Sequence, residues 1–311
     1  INTLIKKSIT LEEHQPRPDT EGGGVSSGAT GASAPHVHVI FKRKILIMLR
    51  PAKEFKEFKL RARDGDIGEA MEFYFDDQHW TVRYLLADTG GWLIGRQVLI
   101  SPHALHPVNE TDHVLPVELT KKQLEESPSL DSDKPVSRQY EVQYHAYYSW
   151  PLYWNGPYLW GSSLYPIGQS GGVTWASENG IPPVELSSPP AETGDPNLRS
   201  TEAVTGYHIS CLDGEIGHVE DFIIDDETWA IRYLVVDTQN WWAGKHVLVS
   251  PRWIERISWD ESKVFVKLSS DMVKNSPEYT PETLNRDYET SLHGHYNQQG
   301  YWVDSRPANT Q

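Results

Sequence analysis

The chain has 311 residues, 38% of them hydrophobic, and a formal net charge of −15 at pH 7. This charge argues against direct nucleic-acid binding, because a phosphate-binding surface needs clustered Lys and Arg. The longest apolar run, Ile45–Leu49, is far shorter than the roughly 20 residues of a membrane-spanning helix, so we expect no membrane span.

Cysteine content and the N-terminal sequence indicate the compartment. Cys211 is the single cysteine, so an intramolecular disulfide is excluded and a reducing compartment is expected. Residues 1–18 contain no apolar stretch of the roughly 7–15 residues that a signal peptide needs. We therefore expect a cytoplasmic protein.

Residues 1–47 are predicted to form a flexible tail. The segment Glu21–Pro35 is rich in Gly, Ser and Ala, and it cannot bury enough apolar surface to offset the loss of chain entropy. Met48 comes just before the repeat described next, which makes it a hypothetical natural start. His36 and His38 lie in the tail without further ligand residues, so no metal site is predicted there.

The central feature of the chain is an internal repeat. Asp64–Pro102 reads DGDIGEAMEFYFDDQHWTVRYLLADTGGWLIGRQVLISP, and Asp213–Pro251 reads DGEIGHVEDFIIDDETWAIRYLVVDTQNWWAGKHVLVSP. The two segments align without a gap at an offset of 149 residues. Copies this similar predict that one domain occurs twice. We expect a separate core in each copy, so that Trp80 and Trp229 each stabilise mainly their own copy.

Each copy is predicted to form a small β-barrel. Alternating or wholly apolar segments between turn residues predict the strands. In the first copy they are Phe58–Arg63, Glu69–Phe75, Trp80–Asp88, Gln97–Ile100 and Val114–Leu119. Closure into a barrel is the economical fold, because it removes the exposed edges of short strands.

Helices are predicted after each barrel. Thr120 and Ser269 are candidate N-caps of short helices. Tyrosines at four-residue spacing from Tyr140 to Tyr148 predict a second helix with an aromatic face. The match between the copies resumes at Tyr140 and Tyr288 and extends to the Tyr-Trp pairs at 153–154 and 301–302.

The predicted fold is therefore mainly β, with two small barrels in tandem, each followed by a short helix. The aromatic segment Trp150–Trp160 is expected either to pack on the barrels or to contact an outside partner. The domain boundaries are a tail at 1–47, the first barrel at 48–128, its helix and aromatic hook at 129–160, a flexible linker at 161–197, the second barrel at 198–277, and its helix and hook at 278–311.

The repeated motif resembles that of the PRC-barrel family. The residues that carry the resemblance are DG-x-I-G, then DD-x-x-W-x-x-RYL-x-x-DT, then W-x-x-G-[RK]-x-VL-x-SP, in both copies. The family takes its name from the cytoplasmic domain of the photosynthetic reaction-centre H subunit, and a related barrel occurs in a ribosome maturation factor. The resemblance covers Leu49–Pro128 and Leu198–Pro277. It implies a prokaryotic interaction module, with no catalytic residues to carry over.

Two arginines and two aspartates of the repeat are interaction candidates. Arg83 and Arg232 lie in apolar strands, where a charged side chain should have a partner. Asp88 and Asp237, or the acids of the preceding turn, could be that partner. The sequence leaves open whether each arginine forms a structural ion pair or a binding contact.

Three tryptophans in the glycine-containing loops are further interaction candidates: Trp92, Trp241 and Trp242. An exposed tryptophan at this position would be a hot spot for a protein partner, whereas a buried one would close the barrel. Both interpretations stay open.

No catalytic, cofactor or metal site is predicted. The adjacent acids Asp76-Asp77 and Asp225-Asp226 are interpreted as turn formers. A metal site common to both copies is not expected from the histidines of the first copy, which have no equivalents in the second: His103, His106 and His113.

The predicted function is a non-enzymatic protein-interaction or assembly module, as an accessory to a membrane or electron-transfer complex. Two equal copies are consistent with an internal pseudo-dimer or a homodimer. One alternative is an RNA-processing or ribosome-assembly accessory that acts through a basic ribosomal protein. Another alternative, based on the aromatic content, is a carbohydrate-binding module.

Overall fold

The computed structural model describes residues 48–93, 96–128, 136–166, 195–238 and 245–303. All of these fall within one compact unit, Leu46–Gln311. The predictions for the tail at 1–47, for most of the linker at 161–197, and for Trp241 and Trp242 lie outside the described residues.

The first copy contributes a mixed sheet with the strand order β5-β4-β3-β2-β6. Neighbouring strands are antiparallel except for β2 and β6, which are parallel. The strands are β2 (Lys59–Ala62), β3 (Gly65–Asp76), β4 (Thr81–Asp88), β5 (Gln97–Ile100) and β6 (Val114–Pro116).

The second copy repeats this order as β11-β10-β9-β8-β13 and adds β12 beside β13. The mainly β fold is confirmed, with two mixed sheets and few helices, while closure of either sheet into a barrel stays a prediction. The strand β12 was not predicted. The strands are β8 (His208–Cys211), β9 (Gly214–Asp225), β10 (Ile231–Asp237), β11 (His246–Val249), β12 (Ile254–Ser258) and β13 (Lys263–Val266).

The first strand of each copy is exchanged between the copies. Strand β1 (Leu49–Pro51) pairs with β9 of the second copy, and β7 (Leu198–Ser200) pairs with β3 of the first. The sequence placed these segments in their own barrels. Hydrophobic periodicity identifies a strand but does not specify its partner, so the exchange was not predictable from the pattern.

The hydrophobic core is continuous across the two copies. Rings from opposite copies meet, since Phe55 lies 5.6 Å from Trp229 and Phe75 lies 5.7 Å from Phe222, centroid to centroid. All of these belong to one cluster or pack directly against it. This differs from the separate cores expected from the sequence, because the exchanged strands bring the two sheets into direct contact.

A glycine in each copy allows the close approach of two strands. Gly68 has φ of +125°, and a Cβ atom there would lie 1.8 Å from the carbonyl oxygen of Asp88. Gly217 has φ of +146°, and its Cβ would lie 2.0 Å from the carbonyl oxygen of Asp237. The second glycine of DG-x-I-G is therefore required by the backbone packing.

Short helices follow the strands, as predicted. The hydroxyl groups of Thr120 and Ser269 accept hydrogen bonds from the third residue of the helices that they cap. The helices are α1 (Lys121–Glu125), α2 (Arg138–Tyr148), α3 (Thr201–Val204), α4 (Ser270–Lys274) and α5 (Arg286–His295), with 3-10 turns at Ala52–Glu57, Pro102–Ala104, Pro251–Trp253 and Pro281–Thr283. Within the described ranges, no helix has the length and apolarity needed to cross a bilayer.

Candidate functional site

The two candidate arginines are ion-paired within the protein. Arg83 is 1% exposed, and its Nη2 lies 3.4 Å from Oδ2 of Asp76. Arg232 lies 2.5 Å from Oδ2 of Asp225 through Nη2. Their partners are the acids of the preceding turn. Asp76 also forms that turn, since its Oδ1 accepts hydrogen bonds from the backbone N–H groups of residues 78 and 79.

The indole of Trp92 packs back on the first sheet. Its Nε1 donates to the carbonyl oxygen of Ile67 at 2.9 Å, and the ring is half-buried. The ammonium group of Lys121 lies 5.4 Å from the ring centroid. Asp88 is exposed, and its Oδ1 accepts a hydrogen bond from the N–H of Gly90. Trp92 is therefore held mainly by its own copy.

A buried hydrogen-bond network joins the first sheet to α2. The Tyr84 hydroxyl donates to Oε1 of Glu141 at 3.0 Å and lies 3.0 Å from Nε2 of His145. The Tyr153 hydroxyl donates to the same carboxylate oxygen at 2.8 Å. Burial raises the pKa of Glu141 to about 8 and lowers the pKa of His145 to about 3. Burial therefore favours the uncharged form of both side chains.

The second copy contains the same network on α5. The Tyr233 hydroxyl donates to Oε1 of Glu289 at 2.9 Å and lies 3.0 Å from Nε2 of His293. Burial raises the pKa of Glu289 and lowers the pKa of His293. These residues are identical in the two copies, which is the signal by which sequence comparison could have found the network.

The described part of the aromatic segment between the copies packs across them. Trp160 is 1% exposed, and its Nε1 donates to the carbonyl oxygen of Thr228 in the second copy at 2.9 Å. The carbonyl oxygen of the neighbouring Leu159 accepts a 2.5 Å hydrogen bond from Nη1 of Arg83 in the first copy. Of the two interpretations that the sequence allowed, these contacts match internal packing.

A cavity of about 450 Å³ lies where the exchanged N-terminal segment meets the second sheet. Burial raises the pKa of Asp221, on its wall, to about 6. Tyr279 is 5% exposed and also faces the cavity. The lining residues are Pro51, Lys53, Glu54, Glu57, Glu220, Asp221, Val235, His246, Tyr279, Thr280 and Pro281.

Comparison with known proteins finds a local similarity in the second copy. Residues 210–273 match the PRC-barrel domain. A protein of Deinococcus radiodurans, described as "Uncharacterized protein", is 36% identical over 93 residues, which cover 28% of this chain and 33% of the relative. The matched part of the chain thus spans about a third of the length of that curated relative. A second PRC-barrel domain in the first copy stays a prediction.

Asp237, a candidate from the sequence, lies inside the PRC-barrel match beside two other possible metal ligands. Atoms of Glu220, Asp237 and His246 all lie within 4.8 Å of one another. The sequence did not predict this group. Its members are separated by 17 and 9 residues, a spacing that carries no motif, and only the pairing of three strands brings them together.

Proposed function

We propose that the chain is a non-catalytic module that assembles with another protein, built from two PRC-type barrels in tandem. The proposal rests on one observation: in both copies, buried ionisable side chains form hydrogen bonds with one another inside the protein. Tyr84, Glu141 and His145 bond to one another, and their equivalents in the second copy do the same. A catalytic acid or base has to reach a substrate instead.

A barrel in each copy is supported by the shared strand order and by the repeated motif. The strand order β5-β4-β3-β2-β6 of the first copy corresponds to β11-β10-β9-β8-β13 of the second. Cross-strand contacts between β5 and β6, observed by NMR, would support the barrel. An open first sheet would contradict it.

The partner surface that we propose lies at the end of the aromatic segment and in the residues just after it, 158–165. Tyr158, Leu164 and Tyr165 are each between 45% and 49% exposed, although Trp160 in the same segment is buried. Exposed aromatic side chains on a rigid base are typical of interface hot spots. The net charge of −15 favours a partner with a basic surface around the apolar contact.

The test is in-cell cross-linking of the full chain followed by affinity purification and quantitative mass spectrometry. The wild-type protein is compared with the double variant Tyr158→Ser/Tyr165→Ser. Leu212→Ser is the matched control, because Leu212 is 71% exposed but lies in a turn of the second sheet. We expect a specific protein that is retained by the control and reduced at least about tenfold by the double variant.

The identity of the captured protein shows which kind of complex the module belongs to. A subunit of a membrane or electron-transfer complex would support the accessory role suggested by the reaction-centre resemblance. A basic ribosomal protein, with co-sedimentation on ribosomal subunits, would support the ribosome-assembly alternative. Equal capture by all three proteins would contradict the proposed surface, and binding to a glycan array would favour the carbohydrate alternative.

A further inference from the structure

Three neighbouring strands of the second sheet place possible metal ligands side by side. In the pairing of β9 with β10, His218 is opposite Asp237, and in the pairing of β10 with β11, Asp237 is opposite His246. The register of β9 and β10 shifts between Val235 and Val236. Glu220, two residues beyond His218 on β9, lies at this irregularity, and its carboxylate lies beside Asp237 and His246.

The side-chain atoms of these residues lie almost at the separations that binding of one metal ion requires. Nε2 of His246 lies 2.5 Å from Oε2 of Glu220, and the Asp237 carboxylate is within 4.8 Å of both. Ligand atoms on one tetrahedral zinc ion, with bonds of about 2 Å, are separated by about 3.3 Å. Movements of roughly 1 Å, within the range of side-chain rotation, therefore bring the three atoms to one ion.

The surroundings supply further groups that a metal site uses. Nζ of Lys53, from the first copy, lies 3.0 Å from the other carboxylate oxygen of Glu220 and fixes its orientation. Nε2 of His218 lies 4.0 Å from Oδ2 of Asp237 and is placed to become a fourth ligand. Second contacts of this kind orient the ligands in known metal sites.

A buried hydroxyl group with no partner in the described ranges lines the cavity beside two of the three side chains, Glu220 and His246. Tyr279 is 5% exposed, and its hydroxyl has no hydrogen-bond partner among the described residues. It faces the cavity that Glu220 and His246 line, and its backbone N–H donates to the carbonyl oxygen of His246 at 2.9 Å. A water molecule in the cavity, beside Glu220 and His246, would give this buried hydroxyl a partner.

The first copy provides a natural comparison, because its equivalent positions cannot bind a metal in this way. Asp88 corresponds to Asp237, but Met71 stands in place of Glu220 and Gln97 in place of His246. Nε2 of Gln97 contacts the sulfur of Met71 at 3.4 Å. The strand pairing is the same, since Asp88 is opposite Gln97.

We propose that Glu220, Asp237 and His246 bind one divalent transition-metal ion of the zinc type. One imidazole nitrogen and two carboxylate oxygens are donors that suit zinc, with the remaining position open to His218 or water. Bound metal would link the second sheet, through Glu220 and Lys53, to the exchanged segment of the first copy.

The test is isothermal titration of the metal-stripped full chain with zinc chloride, and the visible spectrum of the cobalt(II) complex. The variants are His246→Gln and Glu220→Met, which introduce the side chains that the first copy carries at the same places in its sheet. We expect one strong zinc site in the wild type, and an affinity at least about tenfold lower in each variant, since even loss of an outer contact has that effect.

Circular dichroism and the thermal midpoint without metal show whether the variants keep the fold. Histidines elsewhere, including His36 and His38, are unchanged in the variants, so they provide the background. Wild-type affinity in both variants, or no zinc binding by the wild type, would overturn the proposal. The reciprocal variant Met71→Glu/Gln97→His should raise the number of strong sites from one to two, because Asp88 already lies opposite residue 97. An unchanged number of sites would count against the proposed ligand set.

Discussion

The indole ring of Trp229 in the second copy lies 5.6 Å from the phenyl ring of Phe55 in the first, measured between ring centroids. Trp229 is 3% exposed and also lies 6.3 Å from Phe73 of the first copy. The backbone joins the copies at the same point, since the N–H of Val82 donates to the carbonyl oxygen of Trp229 at 2.8 Å. The two copies therefore share a core at this residue.

Trp229→Ala should destabilise the whole compact unit in one transition. We expect a loss of about 3–5 kcal/mol in the free energy of unfolding, because a large buried side chain is removed. Trp80→Ala should cost less, about 1–3 kcal/mol, since Trp80 is only half-buried and stacks on Phe75 of its own copy. Urea unfolding followed by far-ultraviolet circular dichroism measures both. Two separated transitions in either variant would show that the copies unfold independently.

The exchanged strands should be held by an ion pair between the copies. Nε of Arg199, on β7, lies 3.1 Å from Oδ2 of Asp77. A double-mutant cycle with Arg199→Met and Asp77→Asn should give a coupling energy of about 0.5–3 kcal/mol. The equivalent cycle on Arg50 and Asp226 should give a smaller coupling energy, because Nε of Arg50 lies 3.5 Å from Oδ2 of Asp226. Arg50 also forms ion pairs with Glu54 and Glu110. Additive effects at Arg199 and Asp77 would contradict a role for this pair.

The buried carboxyl group of Glu141 should make stability fall as the pH rises. Burial raises its pKa to about 8 from the 4.5 of a solvated glutamate. Between these values the folded protein keeps a proton that the unfolded chain releases, so the free energy of unfolding decreases with increasing pH. Glu141→Gln removes this dependence. As the pH rises, the free energy of unfolding of the variant should increase relative to that of wild type by at most about 1.4 kcal/mol per pH unit.

Urea unfolding of wild type and variant at intervals from pH 5 to pH 8 measures this difference. Glu289→Gln is the matched variant in the second copy, and it should change with pH in the same direction, because burial also raises the pKa of Glu289. A stability difference between Glu141→Gln and wild type that is constant with pH would contradict the prediction.

Gly68→Ala should be strongly destabilising although the substitution is small. The added carbon would lie 1.8 Å from a backbone oxygen, so the strands must separate, at a cost of about 1–3 kcal/mol or more. Gly90→Ala is the control, because φ is +57° there but no atom lies within 4 Å. The control variant should lose about 1–2 kcal/mol in the free energy of unfolding, from backbone strain alone. Thermal unfolding compares them, and equal losses would argue against the steric explanation.

Much of the local structure could be predicted from the sequence, because it depends on local residues. The Asp76 turn, the Thr120 cap and the helix at Tyr140–Tyr148 follow from turn chemistry, capping and periodicity. The partner of β1 could not be predicted, since a three-residue strand does not specify which sheet it joins.

The candidate metal ligands illustrate the same limit. Asp237 was identified from its place in the repeat, but Glu220 and His246 were not, because their proximity depends on strand register and on an irregularity in β9. A comparison of the two copies could have drawn attention to these two residues. Met71 and Gln97 differ from Glu220 and His246 in chemistry while the flanking residues are similar.

The reciprocal pairing of β1 with β9 and of β7 with β3 has a consequence for the covalent order of the chain. Each copy gives its opening strand to the other and receives one in return. A circularly permuted gene that encodes the second copy before the first would therefore supply every sheet with the same neighbours. In the same way, two half-length polypeptides could rebuild the arrangement as a strand-swapped dimer, the form that a gene fusion would have joined into one chain.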